Sequence, residues 1–226
     1  MSVAAIDLLE FERALLVRGE IVVGIDEVGR GALAGPLTVG AVVISSDISP
    51  PSGLNDSKLL SAAQRESLVE PLREWAAAWS LGSVSAREID AWGLRLALAV
   101  AATRAINGLA IVPTHALIDG SFNLLRAPLN VALGEAFPPP LRYGSLPVTT
   151  VIKGDRKCAT IAAAAVLAKV HRDAFMVALD RERDGYGWAS NKGYGAPVHL
   201  EALRRVGPSA HHRQSWSLPA MAEDGT

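Results

Sequence analysis

Residues 21–44 read IVVGIDEVGRGALAGPLTVGAVVI, and this stretch contains the first two predicted strands of the sheet. The apolar run Ile21–Ile25 predicts a buried strand, and the β-branched run Leu37–Ile44 predicts a second one. The glycine-rich segment between them predicts a turn. Two acidic residues, Asp26 and Glu27, directly follow the first run. Because an acid at the end of a buried strand is costly unless its charge is compensated, the stretch also marks a candidate site.

Apolar periodicity outside this stretch predicts the rest of a mixed fold. Further strands are predicted at Trp79–Val84, His115–Ile118 and Val148–Ile152. Helices are predicted over residues 1–18, from Ser61 to about Trp75 with a kink or break at Pro71, over Arg87–Ile106, over Cys158–Leu179 and over His199–Val206. Residues 120–147, rich in proline and glycine, predict an extended loop with a short helix near Val131. This order indicates an α/β or α+β fold around a mixed sheet, with the C-terminal helices in a small lobe.

The composition narrows the class of protein. Half of the 226 residues are hydrophobic and a fifth are charged, which suits one sizeable globular domain with or without a small appendage. No apolar run approaches the roughly 20 residues of a membrane span, and the N-terminus lacks the basic region and cleavage site of a signal peptide. The single cysteine, Cys158, excludes an intramolecular disulfide and a cysteine zinc cluster. We therefore expect a cytoplasmic protein.

Charge is unevenly distributed along the chain. Residues 1–150 carry 11 Lys+Arg and 15 Asp+Glu, whereas residues 151–216 carry 11 and 6. An acidic part that holds cations beside a basic part that holds phosphates is a pattern that a nuclease needs, although many neutral enzymes divide as unevenly.

Two more acids follow predicted strands. Asp119 comes directly after HALI, and Asp155 follows TTVI after a short turn. Strand ends project side chains into a shared crevice, and Mg²⁺ or Mn²⁺ is the natural compensation for carboxylates gathered there. The alternative is that such acids merely start turns or cap helices, and Asp155 stands where it would cap the helix that follows. Zinc spacings, a GxSxG elbow and a GxxxxGK[ST] loop are absent.

Several turns carry groups suited to phosphates and sugars. The turn Gly29–Arg30–Gly31 is either a tight connection or a loop whose bare backbone approaches a sugar closely. The segments 55–58 (NDSK) and 153–155 (KGD) each mix hydrogen-bond donors with a cation, as phosphate sites and solvated loops both do. The segment Asn191–Tyr194 places a cation and an aromatic ring in one turn, where the ring either stacks on a base or sugar or covers the core.

The sequence resembles the ribonuclease HII family. The blocks that carry the resemblance occur in the family's order: GIDEVGRGALAGP at 24–36, GLNDSKLLS at 53–61, ALIDGS at 116–121, VIKGDRK at 151–157, IAAAAVLAKVHRD at 161–173, NKGYGAPVH at 191–199 and HHRQSW at 211–216. Three features depart from the family pattern: the segment between Asp119 and Asp155 is unusually long, alanine replaces a frequent serine at Ala165, and alanine replaces a frequent threonine at Ala196.

The resemblance implies a ribonuclease-H-like fold, with a catalytic domain over residues 1–180 and a C-terminal helical lobe and tail over residues 181–226. It implies that four acids form the Mg²⁺ or Mn²⁺ site: Asp26, Glu27, Asp119 and Asp155. The expected substrate contacts are Gly29, Arg30 and Gly31 at the 2′-hydroxyl, Tyr194 on the sugar 3′ of the cut, and Asn55, Ser57, Lys58, Lys153 and Lys192 along the groove.

The implied activity is hydrolysis of RNA in RNA–DNA hybrids and cleavage 5′ of single ribonucleotides in DNA, leaving 5′-phosphate and 3′-hydroxyl ends. A two-metal reaction fits the chain because it needs no activated serine or cysteine. We expect a monomer without a glutamine-plus-aromatics tail for a sliding clamp. Two rivals stay open at this point: a non-catalytic hybrid-binding module, and a DNA nuclease or integrase of the same fold class.

Overall fold

A mixed sheet forms the centre of the molecule. The computed structural model describes residues 7–126 and 145–219, so the short helix predicted near Val131 lies outside the described residues. Within them the sheet has five strands in the order β3-β2-β1-β4-β5. Their bounds are β1 Val22–Val28, β2 Leu37–Ile44, β3 Ala78–Val84, β4 His115–Asp119 and β5 Val148–Val151. Strands β1, β2 and β3 are antiparallel neighbours, whereas β4 and β5 run parallel to β1.

The strand predictions are confirmed within a residue or two, with one correction that matters for the site. β1 does not end at Ile25 but continues through Asp26 and Glu27 to Val28. The extension is held by β2, because Asp26 pairs with Gly40 and Glu27 pairs with Val39 in the antiparallel ladder. Pairing with a neighbouring strand therefore overrides the weak strand propensity of the two acids.

Helices cover both faces of the sheet. Their bounds are α1 Glu10–Leu16, α2 Ala62–Trp75, α3 Ala86–Trp92, α4 Leu94–Asn107, α5 Ala159–Glu182, α6 Trp188–Asn191 and α7 Pro197–Val206. The helix predicted over Arg87–Ile106 is in fact two, because Gly93 adopts a positive φ of 74° between α3 and α4. The predicted break in α2 is wrong, since that helix continues through Pro71. Ser61 caps α2 as predicted, with a capping box that includes Gln64.

The two faces of the sheet bury separate cores. Helices α3 and α4 pack with residues such as Val23, Ile25 and Ile118, whereas α1, α2 and α5 pack with residues such as Val22 and Leu117. α5 lies unusually close to the sheet, because a Cβ atom at Gly24 would come within 2.3 Å of the Thr160 backbone. The alanine-rich first half of α5 makes this approach possible and sets the helix beside the end of β1.

The C-terminal residues form a smaller cluster at the far end of α5. Trp188 and Leu203 are fully buried there against Met176 of α5 and Ala34 of the β1–β2 connection. The proposed division at residues 180 and 181 falls inside the last turn of α5, and it stays a prediction. None of the described helices combines the length and apolar character needed to cross a membrane.

Candidate active site

The acids of β1 and β4 lie side by side. Parallel pairing of these strands runs from Val22 with His115 to Ile25 with Ile118, so Asp26 and Asp119 come next on their strands. Asp26 is 7% exposed. One oxygen of Asp26 accepts a hydrogen bond from the Glu27 backbone at 2.7 Å. The register of the sheet therefore brings together acids that are 93 residues apart in sequence.

Asp155 reaches the same region from a turn that follows β5. A 3₁₀ turn over Gly154–Arg156 carries it, and the Gly154 backbone donates to Asp119 Oδ1 at 2.7 Å. The Asp155 carboxylate accepts a hydrogen bond from Lys58 Nζ at 3.3 Å. The first turn of α5 is bonded by a different acid, because Thr160 N donates to Glu12 Oε1 at 2.9 Å. These bonds favour the site role of Asp155 over the capping role.

The local electrostatics are those of crowded carboxylates. Burial raises the pKa of Asp26 well above its usual range, and the charges of Glu27 and Asp119 raise it further. Burial likewise raises the pKa values of Glu27 and Asp155. Partial burial opposes the shift at Lys58, yet its pKa is raised by Asp155, Asp26 and Asp56. Each shift has the direction expected where negative charges need a cation.

Divalent ions fit this set of donors by their chemistry. Hard cations take carboxylate oxygens, and Lys58 already places one positive charge against Asp155. No group of three or more His, Cys, Asp or Glu side chains in the described residues is arranged to hold an ion as it stands. The carboxylates would therefore have to turn toward one another when an ion binds.

Two buried arginines hold the glycine turn after β1. Arg213 donates to the backbone oxygens of Arg30 at 2.7 Å and Gly29 at 2.5 Å. Arg172 donates to the backbone oxygens of Pro36 at 2.7 Å and Ala34 at 3.1 Å. Both arginines are 0% exposed. The loop is therefore fixed by hydrogen bonds to its carbonyl oxygens. The space beside Gly31 is open, since no described heavy atom would lie within 4 Å of a Cβ at this position.

The turn that carries Tyr194 packs against the same loop. The backbone N–H groups of Leu33 and Ala34 donate to the Gly193 oxygen at 2.8 and 3.2 Å. The Tyr194 ring is half-buried, with Lys169 Nζ 5.9 Å and the Arg172 guanidinium carbon 5.4 Å from its centre. Two cations thus hold the ring beside the glycine turn.

One cavity of about 400 Å³ collects most of the predicted site. The predicted residues that line it are Asp26, Glu27, Gly29, Arg30, Gly31, Ser57, Lys58, Asp119 and Tyr194. As far as the described residues define this lining, four predicted residues lie outside it: Asp155, which is bonded to Lys58, and Asn55, Lys153 and Lys192. Cavities of similar or larger volume elsewhere lack this combination of acids, glycine turn and aromatic ring within the described chain.

Sequence reasoning missed several residues that shape the cavity. Lys169 lines it, and its only sequence signal was membership of the block IAAAAVLAKVHRD. Asp56, 1% exposed, accepts from Arg156 and from the Lys58 backbone, and so joins the Lys58 loop to the Asp155 turn. Arg172 and Arg213 bond mainly to backbone oxygens far away in sequence, so their only sequence signal, as for Lys169, was membership of a family block.

Comparison with known proteins points to one family. Residues 23–218 match the family model for ribonuclease HII. A ribonuclease HII of Streptomyces avermitilis is 43% identical over 198 residues, covering 88% of this chain and 77% of the relative. The ribonuclease H2 structure from Pyrococcus horikoshii OT3 has 26% identity and a TM-score of 0.67, covering 87% of this chain and 94% of that chain. The RNase HII of Archaeoglobus fulgidus, solved in complex with PCNA, has the same two values, covering 90% and 98%.

The mixed sheet with its flanking helices is that of the ribonuclease H class of hydrolases. The family model spans residues 23–218 and so includes all the blocks quoted above, and the Streptomyces relative covers 88% of this chain. This chain belongs to the ribonuclease HII family. The fold and the ribonuclease H activity predicted from the sequence are thereby confirmed.

Proposed function

We propose that this enzyme hydrolyses the RNA strand of RNA–DNA hybrids and also cuts 5′ of a single ribonucleotide embedded in duplex DNA. Both reactions leave 5′-phosphate and 3′-hydroxyl ends, and they serve the removal of ribonucleotides and RNA primers from DNA. Two divalent ions, Mg²⁺ or Mn²⁺, are held by four carboxylates: Asp26, Glu27, Asp119 and Asp155.

One observation carries this proposal. Strand-end acids, the glycine turn and Tyr194 line the same cavity. Acids alone would suit any metal-dependent nuclease of this fold. A backbone loop and an aromatic ring beside them give the protein a means to detect the 2′-hydroxyl, which is the group that distinguishes RNA from DNA.

In this proposal the residues of the protein bind and orient the substrate. Bound divalent ions supply polarisation of the attacking water and neutralisation of the leaving 3′-oxygen. Lys58 and Ser57 line the cavity beside the acids and orient the scissile phosphate. The backbone of Gly29–Gly31 meets the 2′-hydroxyl, and the Tyr194 ring stacks on the sugar 3′ of the cut. Lys153, Lys192 and Asn55 contact the duplex outside the cavity.

Three duplexes of one sequence test the proposal. We expect Mg²⁺ or Mn²⁺ to support cutting of an RNA–DNA hybrid and a single cut 5′ of one embedded ribonucleotide, while an all-DNA duplex stays intact. Asp26→Asn is the matched control, because it keeps the size of the side chain and removes the charge. It should lower cleavage by about 100-fold or more, since even groups outside the first coordination layer are worth about 10–100-fold at metal sites.

The two rival functions predict different results in the same assay. A non-catalytic module would bind the hybrid and leave all three duplexes uncut. A DNA nuclease would cut the all-DNA duplex as well as the other two. Either result, obtained with wild-type protein and saturating metal, would overturn the proposal.

We also propose that the enzyme acts as a monomer in the cytoplasm, where its nucleic acid substrates occur. The Archaeoglobus relative was solved with PCNA. Residues 217–226 here read SLPAMAEDGT, without glutamine or aromatic residues, so a clamp contact through this segment is not part of the proposal. Light scattering on the purified protein, with and without a hybrid duplex, tests the monomer.

A further inference from the structure

A chain of hydrogen bonds runs through the C-terminal cluster to the backbone of Tyr194. Ser209 N donates to His212 Nδ1 at 2.9 Å, and the two Nε2 atoms of His212 and His199 lie 3.0 Å apart. His199 Nδ1 lies 2.8 Å from the Tyr194 carbonyl oxygen. Both histidines are buried, with exposures of 0% and 1%, and neither belongs to the acidic site.

The partners at the ends of the chain determine which nitrogen carries each proton. A carbonyl oxygen only accepts, so His199 Nδ1 carries a proton and donates it to Tyr194. The bare Nε2 of the neutral His199 ring then accepts from Trp188 Nε1 at 3.2 Å. At the other end an N–H group only donates, so His212 Nδ1 is bare and its Nε2 carries the proton toward His199. The Ser209 hydroxyl, 3.0 Å from the same Nδ1, also donates to it. In this arrangement every contact of the hydrogen-bond chain pairs a donor with an acceptor, and Trp188 and His212 share the lone pair of His199 Nε2.

The chain of hydrogen bonds ends at the elements that we propose recognise the ribose. The Tyr194 ring lines the acidic cavity, and the preceding Gly193 is bonded to Leu33 and Ala34 of the glycine loop. His212 itself forms an isolated β-bridge with Ala34. The hydrogen-bond chain therefore contacts both the turn that carries the ring and the loop that carries Gly29–Gly31.

We propose that His199 and His212 are positioning residues for ribose recognition. The hydrogen bond from His199 Nδ1 to the Tyr194 carbonyl oxygen fixes the position of the Tyr194 turn beside the cavity. His212 holds His199 in the tautomer that carries the proton on Nδ1. This inference rests on the proposed function, because it assigns the residues that support its ribose reader. Neither histidine touches the substrate. The alternative is that the pair only fills the core of the C-terminal cluster.

Two substitutions at His199 that should destabilise the core to a similar extent distinguish the positioning role from the core-filling role. In His199→Asn the side-chain amide nitrogen takes the place of Nδ1 and can still donate to the Tyr194 oxygen. In His199→Gln the amide lies near the Nε2 position, so the bond to Tyr194 is lost. We expect kcat/KM for the single-ribonucleotide duplex to stay within about 3-fold of wild type in His199→Asn and to fall by about 10-fold or more in His199→Gln, since small misplacements of positioning groups cost rates of this order.

A double-mutant cycle tests whether His199 acts through the ring. In a Tyr194→Ala background, His199→Gln should have no further effect, because the ring it positions is gone. Tyr194→Phe should lose less activity than Tyr194→Ala, since it keeps the stacking face. A filler role predicts instead that both His199 variants lose thermal stability alike and that the losses in activity are additive with Tyr194→Ala.

Nuclear magnetic resonance of the wild-type imidazole nitrogens gives a result even where the variants fail to fold. We expect His199 to be protonated at Nδ1 and His212 at Nε2. The opposite tautomers, equal activity of the two His199 variants, or additivity in the cycle would overturn the inference. Failure of wild-type protein to cut the ribonucleotide duplex would instead overturn the proposed function, so the two failures are distinguishable.

Discussion

At the scale of single residues, two lysines adopt a backbone conformation that lysine rarely takes. Lys153 has a φ of 57° and Lys192 a φ of 53°, and they are the non-glycine residues with positive φ in the described part of the chain. An L-residue costs about 1–2 kcal/mol in this region, a cost that glycine avoids. Both lysines were expected from the sequence to contact substrate. Strain that is kept at such positions favours a need for the side chain.

Lys153→Gly should therefore stabilise the protein and weaken its binding to RNA–DNA hybrids. Relief of the left-handed strain should raise the free energy of unfolding by about 1 kcal/mol. Loss of one phosphate contact should reduce the salt dependence of hybrid affinity by about one unit of slope. Chemical unfolding and binding titrations at several salt concentrations measure the two effects.

Lys157→Gly is the matched control for this change. It removes the same charge from an exposed residue nearby whose φ is −128°, so it should bring no gain in stability. Unchanged hybrid affinity in Lys153→Gly, together with the expected gain in stability, would show that the strained lysine has no role in binding.

Asp155→Asn separates a site acid from a helix cap. Asparagine caps a helix nearly as well as aspartate, so a pure cap would lose almost nothing. We expect cleavage to fall by about 100-fold or more, by the same reasoning as for Asp26, with a small change in melting temperature. Because Lys58 loses an ion pair in this variant, Lys58→Met is measured alongside it. Near wild-type cleavage by Asp155→Asn would leave a site of three carboxylates.

At the scale of elements, the sequence predicted every described strand and most helices, because apolar runs and caps are local signals. It could not predict that α3 and α4 are separate helices, since a single glycine in a helical pattern is usually tolerated and only its φ of 74° ends the helix. The extension of β1 through Asp26 and Glu27 depends on pairing with β2, which is not local. The close approach of α5 to Gly24 of β1 is likewise not local, because it depends on how the helix packs on the sheet.

Gly24→Ala should lower the stability of the protein, whereas Gly31→Ala should lower its cleavage activity and leave stability unchanged. A Cβ at Gly24 would lie 2.3 Å from the backbone of α5, so the helix must shift; overpacking of this kind costs about 1–3 kcal/mol or more. A Cβ at Gly31 meets no described atom within 4 Å, so stability should hold while the added methyl obstructs the approach of the ribose. Thermal melting and single-ribonucleotide cleavage measure both. Loss of stability in Gly31→Ala with normal cleavage would contradict this division.

At the scale of the whole molecule, the four acids proposed for the site carry local signals in the sequence, whereas the buried groups that hold the loops around them do not. Asp26, Glu27, Asp119 and Asp155 follow or end apolar strands, so each carries its own local signal. The supports are buried polar groups whose partners lie far away: Arg172 bonds an oxygen 136 residues distant, and Arg213 one that is 184 residues distant. A buried arginine bonded to backbone oxygens looks, in sequence, like any surface arginine.

The buried histidines should make stability depend on pH. The pKa of His212 is lowered from its ordinary 6.5 to about 4, mainly by burial and in part by the neighbouring His199. The unfolded chain thus takes up a proton before the folded one does. The stabilising contribution is complete above pH 6.5 and is lost as pH falls toward 4, by up to about 1.4 kcal/mol per pH unit.

Urea unfolding of wild type and His212→Gln between pH 6.5 and 4.5 measures this contribution. The carboxylates titrate in both proteins, so the difference between the two slopes isolates the imidazole. We expect the shallower slope in His212→Gln, and equal slopes would contradict the assignment.

The bond from Arg213 to Gly29 joins a loop made early in translation to a residue made late. A ribosome releases β1 and its glycine turn long before Arg213 and His212 emerge. During that interval the turn has no guanidinium to fix its carbonyls, and Tyr194 has not yet met its histidine support. Each new molecule can therefore fix the turn proposed to recognise ribose only after residue 213 has been synthesised and has folded back onto it.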